Sequence, residues 1–92
     1  MEFEWDENKN RANLKKHGVS FRQAIEIFKG PIIRFLDDSF DYGEVREITF
    51  GMTGNLVILV VVHTDRKGTT RIISARRADR NEQSEFEAAV FT

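Results

Sequence analysis

The segment from Thr69 to Arg80, TTRIISARRADR, constrains the fold of this chain most strongly, because it joins a strand to a helix through two arginines. Alternation along the segment predicts a regular strand with the odd-numbered residues on one face, namely Arg71, Ile73 and Ala75. Asp79 is a suitable N-cap for the next helix, and Glu82 completes a capping box. The sequence therefore predicts a rigid strand that delivers Arg76 and Arg77 to the start of a helix.

The same part of the chain concentrates positive charge. Between Arg66 and Arg80 the only anion is Asp79, although the net charge of the whole chain is -1. The cations of this stretch are Arg66, Lys67, Arg71, Arg76, Arg77 and Arg80. Such a local patch can bind phosphates, whereas a pI near 6.1 excludes attraction of the whole molecule to nucleic acid. The alternative interpretation is that these cations only face solvent at the end of a strand and the start of a helix.

Composition narrows the class of protein. The absence of cysteine excludes disulfides and thiolate metal sites. With 40% hydrophobic and 32% charged residues, the chain is typical of one globular domain over residues 1–92. Its acidic, polar start is unlike a secretory signal, and its longest apolar run, Leu56 to Val62, is too short to span a bilayer. We therefore expect a cytoplasmic protein.

Hydrophobic patterns and capping signals predict the order β-α-α-β-β-β-β-α. The predicted strands are Glu2–Trp5, Ile32–Leu36, Val45–Met52, Leu56–Val62 and the strand from Thr69, and the predicted helices are Glu7–His17, one opened by Ser20, and one from about Arg80. An entirely apolar strand is typical of the centre of a sheet, so we place Leu56–Val62 there. The predicted fold is a single α+β domain with an antiparallel β-sheet, two N-terminal helices and a C-terminal helix.

The first helix offers little to a core, since Ala12 and Leu14 are its only apolar residues. Its polar residues Lys9, Asn13 and His17 recur every four positions, which predicts a stripe along one side, and Lys16 lies beside it. This stripe can bind a ligand or simply face solvent. The sequence has no P-loop, dinucleotide fingerprint or HExxH motif, and neither of its histidines has the spacing of a metal ligand.

Short sequence landmarks are spread over nearly the whole chain, and together they resemble the BrnT family of type II toxins, which are similar in fold to RelE-type ribonucleases. The matching residues are FEWD at 3–6, Lys9, Asn13, Leu14, KHGVSF at 16–21, Gly43, Glu44, Arg46, Gly51, RIISAR at 71–76 and Ala78. The last helix departs from the family pattern, because Phe86 stands where a tyrosine is expected. We assign no role to Phe86.

The resemblance implies an endoribonuclease toxin that inhibits translation. Because the sequence offers a basic strand–helix junction and no convincing metal site, we expect this cleavage to be metal-independent and to need no cofactor. The resemblance also implies a DNA-binding antitoxin of the BrnA type. We expect a heterotetramer with two toxins, in which the toxin contacts operator DNA only through the antitoxin. RNA cleavage of this kind requires cations around the reacting phosphate, an acid and a base. The predicted catalytic residues are Arg71, Arg76, Arg77, His17 and Glu44, and the predicted RNA-binding residues are Lys9, Lys16, Arg66, Lys67 and Arg80.

Alternatives remain at two of these positions and for the function itself. His17 lies where a cation stabilises the end of a helix, which would explain it without catalysis. Glu44 belongs to an acidic loop that could instead bind the antitoxin. The alternative function is a non-catalytic nucleic-acid-binding or interaction subunit, because arginines that bind phosphate and arginines that catalyse cannot be distinguished by sequence.

Overall fold

The computed structural model describes residues 1–38, 41 and 43–91, and its helices and strands follow the predicted order. The strands are β1 (Glu2–Glu4), β2 (Ile32–Asp37), β3 (Arg46–Met52), β4 (Ile58–Arg66) and β5 (Thr69–Arg77). The helices are α1 (Glu7–His17), α2 (Phe21–Ala24), a 3₁₀ helix (Ile25–Lys29) and α3 (Arg80–Val90). The predicted α+β fold is confirmed. Ser39, Phe40 and Tyr42 of the predicted acidic loop lie outside the described residues.

Within the described chain the strands form one sheet in the order β1-β5-β4-β3-β2. The strands β2 to β5 are antiparallel neighbours, as predicted, but β1 runs parallel to β5 and makes the sheet mixed. The central position predicted for the apolar strand is confirmed, although its predicted bounds are wrong. Leu56 instead belongs to the β3–β4 turn, where its φ is 64° and its N–H donates to Thr53 O at 3.0 Å.

The sequence predicts Asp6 as the N-cap of α1, Gly18 as the residue that ends it and a capping box at Ser20, and all three are present. The side chain of Asp6 accepts from the backbone of Lys9, Gly18 ends α1 at a φ of 71°, and Ser20 opens α2 with a capping box. The spacing of Phe21, Ala24, Ile25 and Phe28 predicts one apolar stripe along a single second helix, but the chain tightens into the 3₁₀ helix after Ala24 and divides it. That helix packs closely on β3 at Gly51, where an added Cβ would lie 2.6 Å from Cβ of Ile27. Only glycine allows this approach.

Helices cover both faces of the sheet. The side packed against α1, α2 and the 3₁₀ helix is here called the α1 face, and its core contains Val19, Phe21, Ala24, Ile27, Leu59, Val61, Ile72 and Ala75. The other side is the α3 face, with Phe50, Ile58, Val60, Ala78 and Phe86 at its core. Phe86 is 1% exposed, so its packing alone explains an aromatic residue there. The spacing of Phe86, Ala89 and Val90 along α3 predicts that all three face the sheet, but Ala89 is exposed.

Helix α1 lies on the surface, as its shortage of apolar residues predicts, but its two apolar residues do not contribute to a core. Ala12 is exposed and Leu14 is 48% exposed, whereas Asn13 is buried. Asn10 also points inward enough to accept a 2.8 Å hydrogen bond from the backbone of Phe21. The helix therefore docks through asparagine side chains, which bond to backbone groups instead of filling a core.

Candidate functional site

A β-bulge in β5 determines which residues share a face. Ile72 lies opposite His63 and Ser74 lies opposite Val62, so Ile73 is an extra residue between two adjacent positions of β4. A bulge of this kind interrupts the alternation of side chains along a strand. The regular alternation predicted for β5 is therefore wrong beyond Ile72.

The bulge brings two of the predicted catalytic arginines to the same face. Ile72 and Ala75 both lie in the core of the α1 face, although three positions separate them. Arg71 lies opposite Thr64 and Arg76 lies opposite Val60, and both arginines belong to the α3 face. In a regular strand, two residues five positions apart lie on opposite faces.

Asn13 holds β5 immediately after the bulge. Its Nδ2 donates to Val19 O at 2.8 Å and to Ala75 O at 2.7 Å, and its Oδ1 accepts from Ala75 N at 3.1 Å. The amide thus pairs with β5 much as a neighbouring strand would, beyond the point where β1 ends. The middle member of the predicted α1 stripe has a structural role.

A row of polar side chains crosses the α3 face from edge to edge. Successive cross-strand partners in this row are Asp37, Arg46, Thr64, Arg71 and Glu4. Arg71 Nη1 lies 2.6 Å from Glu4 Oε2. Side chains directly opposite one another are close enough to interact, so the row presents two arginines to one ligand.

Glu44 lies at the same end of the sheet as this row. It is 3.4 Å from Arg46 Nε through one oxygen and 3.4 Å from Arg66 Nη2 through the other. A carboxylate held between two guanidinium groups is fixed in its orientation by both of them. The structure therefore brings together three of the predicted site residues here, namely Arg71, Glu44 and Arg66, and adds Arg46.

An open cleft of about 320 Å³ adjoins the row on the α3 face. It is lined by Phe35, Ile48, Phe50, Val60, Val62, Ser74, Arg76, Glu82 and Glu85. Phe35 is 40% exposed, and its ring lies 5.2 Å from that of Phe50. An aromatic surface next to arginines can stack a base while the arginines contact phosphates.

Arg76 at the rim of the cleft is already paired. Its two Nη atoms donate to the carboxylate of Glu82 at 2.7 and 2.8 Å. Hydrogen bonding to Glu82 raises the pKa of Arg76, and the hydrogen bonds from Arg76 lower the pKa of Glu82. Because Glu82 also completes the capping box of α3, this pair joins the end of β5 to the helix.

The remaining predicted residues are not gathered at this site. Lys9, Lys16 and His17 are exposed on α1, and none of them forms an ion pair within the described part of the chain. Arg77 lines a separate cleft with Gln83 and Glu87 of α3. The other two cations lie at element ends, with Lys67 in the β4–β5 turn and Arg80 opening α3.

Sequence reasoning missed Arg46, Phe35, Ser74 and Glu82 as parts of the site. The signal for Arg46 was present, because it shares its parity along β3 with Ile48 and Phe50, which line the cleft. Ser74 could not be assigned to this cleft from the sequence, because the face on which it lies depends on the bulge. Phe35 required knowledge of which edge strand lies beside β3.

Among residues 1–38, 41 and 43–91, no group of three or more histidines, cysteines or carboxylates is arranged to hold a metal ion. None of the helices described is long and apolar enough to cross a membrane.

Comparison with known proteins identifies a family and a similar solved structure. A family model described as "Ribonuclease toxin, BrnT, of type II toxin-antitoxin system" matches residues 5–82. The crystal structure of the Brucella abortus ribonuclease toxin BrnT superposes with a TM-score of 0.65 at 24% sequence identity, covering 87% of this chain and 99% of that chain. At 24% identity, this similarity shows that the two proteins share a fold. No curated protein matches the sequence.

Proposed function

The chain belongs to the BrnT family of ribonuclease toxins of type II toxin–antitoxin systems, and we propose that it cleaves RNA without a metal ion on the α3 face of its sheet. The observation that carries the proposal is the position of Arg71 and Arg46 in one row, beside a cleft with an aromatic wall. Cations and a stacking surface on one face suit a single RNA strand.

The proposed reaction is attack of a 2′-hydroxyl oxygen on the adjacent phosphorus. The bond to the 5′-oxygen of the next nucleotide breaks, and the products are a 2′,3′-cyclic phosphate and a 5′-hydroxyl. A base removes the proton of the 2′-hydroxyl, and an acid supplies one to the leaving oxygen. Charge develops on the phosphate oxygens in between, where fixed cations are most effective.

We assign the phosphate oxygens to Arg71, with Arg46 in the same row, and to Arg76 at the rim of the cleft, and Arg77 is a further predicted contact. Arginine suits this role because its planar group binds two oxygens at once and stays charged. Both Arg71 and Arg76 are paired with carboxylates, and each pair has one more exposed member, Glu4 at 40% beside Arg71 at 24%, and Arg76 at 44% beside Glu82 at 19%. Binding of a phosphate requires that it compete with Glu4 for Arg71 and with Glu82 for Arg76.

Proton transfer is assigned to Glu44 on the α3 face, where Arg46 and Arg66 orient its two oxygens. His17 is retained as a second proposed proton-transfer group, which RNA reaches only by passing over the edge of β5. Imidazole exchanges protons near neutral pH and is suited to either step. The cations Lys9, Lys16, Arg66, Lys67 and Arg80 are proposed contacts to phosphates outside the scissile one.

Cleavage of messenger RNA in the cytoplasm would inhibit translation, and the cognate antitoxin would restrain it. We propose that this antitoxin is of the BrnA type, binds operator DNA, and forms a heterotetramer with two toxins. Two-fold DNA-binding dimers commonly read paired half-sites, which favours this stoichiometry.

The test is incubation of the purified chain with end-labelled RNA in EDTA. Cleavage should persist and leave 2′,3′-cyclic or 3′-phosphate ends, and Arg71→Ala should reduce its rate by about 10²- to 10³-fold, as loss of a charge-stabilising group does. Arg22→Ala removes an exposed arginine of α2 and serves as the matched control. A requirement for Mg²⁺ contradicts the mechanism. Intact RNA under all conditions, ribosomes included, would favour the non-catalytic binding subunit.

A further inference from the structure

The two edges of the sheet are protected unequally. At one edge β1 pairs with residues 69–71 of β5, and Asn13 takes both backbone groups of Ala75. At the other edge β2 pairs with β3, and no strand of the described chain lies along its outer side. An uncovered edge presents a row of backbone N–H and C=O groups that another chain can pair with.

Apolar side chains are exposed on both faces at the end of β2. Phe35 is 40% exposed on the α3 face. Leu36, the next residue, is 70% exposed, and nearby Val45 is 69% exposed. Leu36 and Val45 line a cleft of about 320 Å³. A strand added along β2 would find apolar contacts on alternate sides, which is how extended peptides are recognised at sheet edges.

The charge around this edge selects the partner. From residue 37 to residue 45 the sequence carries four carboxylates and no lysine or arginine. They are Asp37, Asp38, Asp41 and Glu44, all of which line the cleft beside Leu36 together with one cation, Arg46, so the lining carries an excess of negative charge. Because opposite charges on paired strands attract and like charges repel, the segment that fits here is extended, apolar and basic.

We propose that the outer edge of β2 is where an extended basic segment of the cognate antitoxin adds a strand to the sheet. The inference rests on the proposed function, since it takes the antitoxin as the occupant. An added strand would lie directly beside Phe35 on the α3 face and project alternate side chains over the apolar cleft. Edge pairing would thus exclude RNA without requiring the antitoxin to cover every arginine.

The first measurement is binding of purified cognate antitoxin to the labelled full-length chain. Leu36→Lys removes the apolar contact and places a cation against the basic segment, so affinity should fall by at least about tenfold, or roughly 1.4 kcal/mol. Leu56→Lys is the matched control, because Leu56 is 77% exposed but lies in the β3–β4 turn. Its affinity should be unchanged. Binding by the unmodified chain should weaken as salt is raised.

The second measurement is hydrogen exchange of the purified complex. Amides of Ile32–Asp37 should gain protection when the antitoxin binds, because outward N–H groups become paired. Ribonuclease activity of Leu36→Lys, measured without antitoxin, tests the proposed function separately. Because neither binding measurement depends on catalysis, both remain interpretable if the protein does not cleave RNA.

Three outcomes would overturn the inference. Equal affinity of Leu36→Lys and the unmodified chain would place the contact elsewhere. Protection of Ile32–Asp37 that grows with toxin concentration in the absence of antitoxin would assign the edge to a second copy of this chain. Failure of the unmodified chain to bind the antitoxin would exclude it as the occupant.

Discussion

Thr49 Oγ1 and His63 Nε2 lie 2.7 Å apart between the central strands, at a site where Thr49 is fully buried and His63 is 3% exposed. Burial lowers the pKa of His63 below its ordinary value of 6.5, and Glu47 offsets part of this effect. The unfolded chain therefore binds a proton more readily than the folded one, so the free energy of unfolding should decrease as pH falls below 6.5. Above that pH, the contribution of His63 to the free energy of unfolding is fully present.

This pH dependence can be isolated by substitution. Thermal unfolding at pH 7.5 and 5.5 should show a smaller difference in melting temperature for His63→Gln than for the unmodified chain, because glutamine cannot be protonated. Equal differences would assign the acid sensitivity to the carboxylates.

Removal of the Asn13 side chain should destabilise the protein strongly. Asn13→Ala leaves the N–H and C=O of Ala75 without their partners in a buried position. Unpaired buried groups cost about 1–3 kcal/mol each, so the free energy of unfolding should fall by roughly 2–4 kcal/mol. Urea denaturation measures this, with exposed Asn8→Ala as the control. A loss below about 0.5 kcal/mol, the usual range for surface changes, would show that water replaces the amide.

Leu56→Gly should stabilise the protein. Leu56 is 77% exposed and adopts a φ of 64°, where a side chain is strained by about 1–2 kcal/mol and glycine is not. The added freedom of glycine in the unfolded chain offsets part of this, which leaves a gain of roughly 0.5–1 kcal/mol. Leu36→Gly, in the extended strand β2, should instead destabilise. Denaturation midpoints of the two variants that move in the same direction would be inconsistent with strain at Leu56.

Glu44 and His17 can be ranked as proton-transfer groups by single substitutions. Glu44→Gln keeps the shape of the side chain and should reduce cleavage by about 10²- to 10⁴-fold if Glu44 is the base. His17→Gln should have a similar effect only if RNA crosses the β5 edge. Exposed Glu87→Gln is the control. Near-normal cleavage by His17→Gln with a lowered melting temperature would reduce His17 to a residue that stabilises the end of α1.

The isolated chain should not bind operator DNA. The second helix is only four residues long, and its Phe21 and Ala24 are buried, so it has few donors to read base edges. A gel-shift series at about 150 mM salt, the physiological range, should show binding by the toxin–antitoxin complex alone. Specific binding by the toxin without antitoxin would contradict this division of roles.

The limits of the sequence interpretation follow from the physics of each element. Caps such as Asp6 and Ser20 act over three residues, so the boundaries of their helices were predictable. The packing of α1 was not, because a buried amide that bonds to a distant strand leaves no periodic signal. Pairing of β1 with β5 also depends on tertiary contacts. The arginines of the candidate site could be identified in the sequence by their charge. The sequence did not show which face of the sheet they share.

The bulge at Ile73 also changes how related sequences must be compared. A one-residue gap placed between residues 72 and 74 would interchange inward and outward positions in the rest of β5. Ala75 would then be matched to solvent positions and Arg76 to interior ones. An apparent exchange of small and charged residues between two relatives in this strand would therefore signal a gain or loss of the bulge, and the corresponding arginine would lie on the opposite side of the sheet.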